Sequence, residues 1–272
     1  MIVLREYSER VAVITGAANG LGRALARELA ARKCRLALVD IDSSALLEVR
    51  EALAQPGLAV THHHADVGSE QALQRAAVEI ASAHGNVHLV INNAAISASA
   101  GFNNTSAAEF VRIIRVNFFG TVYGCRTFLP FLQKHTEGHF LNVASSFAWM
   151  GYPGKTAYAS SKGALRSFSE SLRLELAGSG IGVTLLYPGP LNTQLVRSGI
   201  SDSVQRRQLE AAFLTRRGLP TERAARRCLD ELLTNPGRIA VGLDYRLLDM
   251  LARLSPRLAG WAMGFASARA GF

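Results

Sequence analysis

The chain has 272 residues, 49% hydrophobic and 19% charged, which is the balance of a globular domain able to bury a sizeable core. Its net charge is 30 − 21 = +9, but no block of five like charges occurs and no helix-turn-helix, zinc-finger or RNA-binding signature accompanies the excess, so nucleic acid is not an expected partner. Cys34, Cys125 and Cys228 are odd in number and far apart, which argues against a disulfide framework and a paired-cysteine metal site and predicts a reducing cytoplasm.

The first residues run almost directly into a strand without a basic–apolar–small leader pattern, and no run of ~18 apolar residues could span a bilayer. Strands and helices then alternate. Val11-Ala12-Val13-Ile14 is a short apolar strand, followed by the glycine turn Thr15-Gly16-Ala17-Ala18-Asn19-Gly20-Leu21-Gly22 and a helix over 23–32. Glycines let the backbone approach a pyrophosphate, whose charge meets the amides and positive dipole end of the following helix. The spacing is Gly-x-x-x-Gly-x-Gly, which differs from the G-x-G-x-x-G fingerprint.

A second strand over 35–39 ends in Asp40, about twenty residues past the glycine loop, where a carboxylate accepts hydrogen bonds from adenosine ribose hydroxyls and repels a 2′-phosphate. With no basic residue at Ala18-Asn19 or just after Asp40, the sequence favours NAD over NADP. Asp40 would serve equally as an N-cap for the helix near Ser43. A helix over 44–54, a strand over 58–63, a helix over 70–83 and a strand over 87–91 complete the first half. The neighbours in His62-His63-His64 point to opposite faces of a strand, so metal binding there is not expected. Asp66-Val67, past the third strand, is placed to contact an adenine, and Asn92-Asn93-Ala94-Ala95 follows the fourth in the same way.

Residues 107–133 read as a long helix interrupted near Gly120 and Gly124, with Asn117 buried among Val116, Phe118 and Phe119 and therefore in need of partners. The run 138–143 reads as a buried parallel strand, placing Ser145 at the carboxyl edge of the sheet, where open α/β folds keep their sites. Tyr158 and Lys162 then stand at i and i+4 on one helix face. An ammonium beside the phenol favours the phenolate and lowers its pKa from the ordinary value of about 10, which makes Tyr158 a candidate general acid and base. A strand over 181–187 ends in Pro188-Gly189-Pro190-Leu191-Asn192-Thr193; 194–235 is a polar helical excursion and 238–241 a last strand.

Taken together, Thr15 to Gly22, Asp40, Asp66, Asn92 to Ala95, Asn117, Ser145, Tyr158, Lys162 and Pro188-Gly189 resemble the short-chain dehydrogenase/reductase family over about residues 8–242. The resemblance implies a single doubly wound, mainly parallel α/β sheet of Rossmann type with helices on both faces. It implies that Tyr158 is the acid/base, that Lys162 lowers its pKa and binds the nicotinamide ribose, that Ser145 holds the substrate carbonyl and that Asn117 anchors a relay water. It also implies cofactor contacts at Gly16, Asn19, Gly20, Leu21, Gly22, Asp40, Asp66, Val67, Asn93, Ala94, Pro188, Gly189 and Thr193. Ala95 departs from the family, which more often has glycine there.

The reading is therefore an NAD-dependent oxidoreductase acting on a small-molecule secondary alcohol or ketone. A lipophilic substrate fits the pocket candidates Ser97, Phe147, Trp149, Tyr152 and Tyr187, which fit equally well as core packing. A non-catalytic dinucleotide-binding regulator is the alternative from another class. The family likeness implies a homodimer or homotetramer, with Phe128, Phe131, Leu132, Phe168 and Leu172 partly in the interface. Residues 1–243 form the catalytic unit in this reading, and 244–272 a helical extension. Leu247, Leu251, Leu254, Leu258, Trp261 and Phe265 recur at helical steps there, and Ser255-Pro256 starts a second helix. Packing on the chain's own core, closing the substrate pocket or meeting a partner subunit is the favoured role for this extension; peripheral membrane contact through its arginines is the second.

Overall fold

The computed structural model of the chain describes residues 4–135, 137–193, 195–196, 199–234, 236–242 and the isolated positions 250, 254, 255 and 260. Apart from those four positions, the expected helices of 244–272 lie outside the described residues.

Seven strands form the main sheet; the inner ones are short apolar runs because both of their faces are covered, while the edge strand Val60–His64 is mostly polar. The seven are β1 (Val11–Thr15), β2 (Arg35–Asp40), β3 (Val60–His64), β4 (Leu89–Asn92), β6 (Gly138–Val143), β7 (Ile181–Pro188) and β9 (Arg238–Val241). All pair in parallel in the order β3-β2-β1-β4-β6-β7-β9. The direction of succession reverses between β1 and β4, and the carboxyl edge at that reversal opens into a cleft. A second, two-stranded parallel sheet joins β5 (Ala98–Ser99) to β8 (Ile200–Ser201) and so ties the segment after β4 to the chain beyond β7.

The helices cover both faces: α1 (Gly20–Ala31), α2 (Ser43–Ala52), α3 (Glu70–His84), α4 (Ala107–Ile114), α5 (Gly120–Leu132), α6 (Thr156–Glu175), α7 (Val204–Arg217) and α8 (Thr221–Leu232). Side-chain caps set several starts. Asp42 accepts from the Ala45 amide at α2, Ser69 from Ala72 at α3, and Ser106 makes a full capping box with Glu109 at α4. One core, on the α1 and α8 side, includes Leu25, Leu29, Leu36, Leu141, Leu229 and Ile239, and the other, under α3 and α5, includes Val13, Leu73, Ile80, Phe128 and Phe140.

Two expectations change. The break in the long helix is a π-helical segment, Arg115–Phe119, lying before the glycines rather than at them. Phe128 and Leu132 are wholly buried in the chain's own core and so are not interface residues; Phe131, Phe168 and Leu172 also pack against that core. The middle of the His run has structural partners: His63 Nδ1 pairs with Glu79 at 2.9 Å, and Thr61 Oγ1 meets both His63 and His84 at 2.8 Å. Among the described residues no helix is long and apolar enough to cross a membrane.

Candidate functional site

The turn after β1 is held by contacts only glycine permits. Gly16 has φ +66°, and a Cβ there would lie 2.8 Å from Ala94 Cα. A Cβ at Gly22 would lie 2.1 Å from the Gly16 carbonyl oxygen, so α1 sits against the turn with no room between them. The Asn93 amide donates to the carbonyls of Thr15 and Gly16, each at 3.0 Å, pinning the loop after β4 onto the loop after β1. Gly16, Asn19, Gly20 and Leu21 line the cleft at the N-terminus of α1; Gly22 lies behind them, buried, and its part is to let that turn close.

Asp40 reaches the cleft from the end of β2. Its carboxylate accepts from the Ala18 amide at 2.9 Å and from the Asp42 amide at 3.1 Å. The N-cap of α2 is Asp42, so the capping role considered for Asp40 falls to its neighbour. Asp66 and Val67 line the same end, with Asp66 Oδ1 accepting from the Gly68 amide at 2.8 Å. Asn93, Ala94, Pro188, Gly189 and Thr193 line the middle.

Beyond β6 the chain turns at Ser145 and then enters α6. Ser145, Tyr158 and Lys162 all face the cleft. Tyr158 is hydrogen-bonded to Ser145, and its ring meets Phe147 edge-on at 6.1 Å. Lys162 Nζ lies 5.9 Å from the centre of the Tyr158 ring and donates to the Val143 carbonyl at 2.8 Å. Burial dominates the electrostatics of both groups. It pushes the Tyr158 phenol up to about 12, against a smaller lowering from the Ser145 hydrogen bond, and pushes the Lys162 ammonium down to about 7. The expected lowering of the tyrosine is therefore not what this structure gives. Desolvation of the buried phenol outweighs the contact that lowers it.

Asn117 does not line the cleft. It sits wholly buried in the π-helical segment, where its Oδ1 accepts from the Ile96 amide at 2.8 Å while its Nδ2 donates to the Ile96 carbonyl at 3.0 Å and to Ser161 Oγ at 3.1 Å. Ser161 Oγ donates onward to the Tyr158 carbonyl at 2.6 Å. The asparagine thus couples the loop after β4 to the helix that carries Tyr158. Asn92 is structural, donating to Asn142 Oδ1 at 2.8 Å and to Cys125 Sγ at 3.4 Å.

The cleft encloses about 1480 Å³. Ser97, Phe147 and Tyr152 line its far end as expected. Trp149 and Tyr187 do not; their rings pack together with centroids 4.4 Å apart in a separate cluster with Leu165 and Leu185. The sequence reading missed the contribution of α7, whose Leu209, Glu210 and Phe213 form one wall, and of Lys155. The available signal was Leu209 and Phe213 at i and i+4 in an otherwise polar stretch. A phenol, a hydroxyl and an ammonium in one cleft, joined to a glycine turn and an acid at its other end, can move a proton at a carbonyl beside a bound dinucleotide.

The short chain dehydrogenase family model matches residues 10–203. SadH of Mycobacterium tuberculosis is 33% identical over 255 residues, covering 92% of each chain. A Drosophila melanogaster dehydrogenase/reductase, SDR family protein 7-like, is 28% identical over 259 residues, 93% of this chain and 79% of that one. Among solved structures, a short chain dehydrogenase/reductase from Burkholderia phymatum in complex with NAD superposes with TM-score 0.82 at 28% identity, covering 92% of this chain and 96% of the other. An alcohol dehydrogenase from Thermococcus sibiricus complexed with 5-hydroxy-NADP gives 0.74 at 26% identity, covering 85% and 95%. With the glycine turn, the sheet order and the Ser145, Tyr158 and Lys162 cleft in place, this protein is an oxidoreductase of the short-chain dehydrogenase family.

Proposed function

We propose that the protein catalyses reversible hydride transfer between NAD(H) and a secondary alcohol or ketone, with a lipophilic, steroid-, retinoid- or fatty-acyl-like substrate. The observation that carries this reading is the convergence of Ser145, Tyr158 and Lys162 on the cleft that also holds Asp40 and the glycine turn. The residues fit a dinucleotide: Gly16 and Gly22 stand where a Cβ would collide with backbone, the α1 N-terminus faces the cleft, and Asp40 presents a carboxylate suited to ribose hydroxyls. That carboxylate favours NAD, since a 2′-phosphate would meet like charge.

The bound nicotinamide supplies or accepts the hydride. In reduction, Tyr158 Oη gives its proton to the carbonyl oxygen while Ser145 Oγ hydrogen-bonds the same oxygen; in oxidation the phenolate takes the proton back. Lys162, in its ammonium form, favours that phenolate and would hold the nicotinamide ribose. Asn117 acts through Ile96 and Ser161, holding the loop after β4 and the start of α6 at a fixed spacing. The apolar walls from Phe147, Leu209 and Phe213 support the lipophilic assignment. We assign residues 1–243 to the catalytic unit and 244–272 to an extension that packs on the protein or a second copy.

A panel of secondary alcohols graded in apolar size, incubated with NAD at alkaline pH and read at the absorbance of reduced nicotinamide, tests this. Turnover rising with apolar size is expected. Binding of NADH without turnover on any alcohol or ketone would favour a regulatory protein instead.

A further inference from the structure

The substrate end of the cleft holds a buried ionic cluster that the proton-transfer scheme does not use. Lys155 stands three residues before Tyr158, at the N-cap position of α6, with its side chain 6% exposed. Its Nζ donates to Glu210 Oε1 at 2.5 Å and to Ser99 Oγ, and Ser99 Oγ donates to the second Glu210 oxygen. Ammonium, hydroxyl and carboxylate close a ring in which each group has two partners. The ring joins three segments distant in sequence: β5, the start of α6 and the middle of α7.

What makes the cluster informative is how α7 is otherwise held. None of its described residues is buried, and Leu209 and Phe213, which wall the cleft, are 49% and 53% exposed. A surface helix is ordinarily held by an apolar stripe seated on the core, and α7 lacks one. Its ends are tied through the chain on either side. Before it, Ile200 and Ser201 pair with Ala98 and Ser99, and Asp202 accepts from the Gly101 amide at 2.9 Å; after it, Leu219 bridges to Leu191. Between those ties, Glu210 makes the buried ion pair to the start of α6, one turn beyond Arg206, whose guanidinium lies beside Gly154.

We propose that Lys155 and Glu210 form a latch that holds α7 across the substrate end of the cleft, so that Glu210 is a positioning residue for substrate binding. The latch is a statement about α7, and only its kinetic consequence rests on the reaction proposed above. Taking one partner from a buried ion pair leaves the other charge uncompensated, which is far more damaging than removing both. Glu210→Gln keeps the shape and removes the charge, and α7 then loses the ionic part of its fastening to α6 while Lys155 is left uncompensated.

Hydrogen exchange of the full-length protein reads this directly. In Glu210→Gln the amides of residues 204–217 should exchange at least about tenfold faster while those of α1 and α6 keep their rates. The reversed pair, Lys155→Glu with Glu210→Lys, should return exchange in α7 to within about threefold of the natural protein, which a general loss of fold would not allow. On any ketone that turns over, Glu210→Gln should raise KM about tenfold or more, with kcat changed by less than about threefold and NADH affinity unchanged. Unaltered exchange in α7 would overturn the latch whatever the enzyme acts on. Faster exchange with KM unchanged would overturn the positioning role. Absence of turnover on every substrate would count against the reaction and leave the exchange result to decide the latch.

Discussion

Lys162 Nζ donates to the carbonyl oxygen of Val143 at 2.8 Å, so a side chain from α6 closes on the last residue of β6, two residues before Ser145. That bond fixes the spacing between the serine and the tyrosine as well as placing a cation beside the phenol. Lys162→Ala should therefore lower kcat by about a hundredfold or more and also weaken NADH binding. Lys162→Arg should recover little, because a planar guanidinium cannot occupy the place of a buried point donor. Single-turnover rates and a fluorescence titration of NADH check both, and a Lys162→Ala variant with natural NADH affinity would contradict the double assignment.

Asp40 separates the two cofactors by charge. NADH should bind at least about tenfold tighter than NADPH, and Asp40→Ala should narrow the gap. The variant also removes the bond from the Ala18 amide to the carboxylate, so NADH affinity should fall while NADPH affinity rises. Parallel titrations measure it; equal affinities in the natural protein would rule out the NAD assignment.

Much of this was legible in the chain because the signals were local. The turn Gly16 to Gly22, the acid ending β2 and the i, i+4 pair Tyr158 and Lys162 each depend on neighbours within a few residues, and β9 matches its apolar run from Arg238 to Val241. What escaped depended on distant contacts. Glu210 looks like one carboxylate on a solvated helix until Ser99 and Lys155, 111 and 55 residues away, come into reach. The tyrosine pKa was misjudged for the same reason: the cation is adjacent, but burial of both groups is a property of the folded cleft. Trp149 and Tyr187 were aromatic residues near the right strands whose rings satisfy each other.

Three buried histidines make stability depend on pH. Burial pushes His139 down to about 3 and His84 and His88 down to about 4, with cationic neighbours adding smaller lowering effects. The unfolded chain binds these protons below about 6.5 while the folded protein refuses them. Folding is therefore weakened as pH falls from 6.5 towards 4, and the neutral-pH stability is complete above that window. The unfolding midpoint should be at least about 5 °C lower at pH 5 than at pH 7.5. His139 Nε2 bonds Thr184, whose hydroxyl already donates to the Pro236 carbonyl, so His139→Gln should reduce the difference by keeping a donor that does not titrate. An unchanged difference in that variant would exclude His139 as a contributor.

Assembly should use the outward face of α4 and the π-helical segment. Val111 and Phe119 are 55% and 41% exposed there, and Phe119 stacks on Tyr123 at 5.8 Å. Exposed apolar side chains clustered on one face mark an interaction surface. Light scattering at micromolar protein should give a dimer or tetramer, and Phe119→Glu should shift it towards monomer. A monomer in the natural protein would contradict this.

The central claim is that Tyr158 Oη moves the proton, and Tyr158→Phe tests it with least disturbance, since the ring and its edge contact with Phe147 remain. With an alcohol and NAD, the natural protein should gain activity as pH rises through the alkaline range, because burial holds the phenol up at about 12 and oxidation needs the phenolate. Measured side by side from pH 7 to 10, Tyr158→Phe should lose about a hundredfold or more in kcat at every pH, lose the alkaline rise, and bind NADH as before. A variant that keeps substantial turnover with the same pH profile would assign the proton to another group.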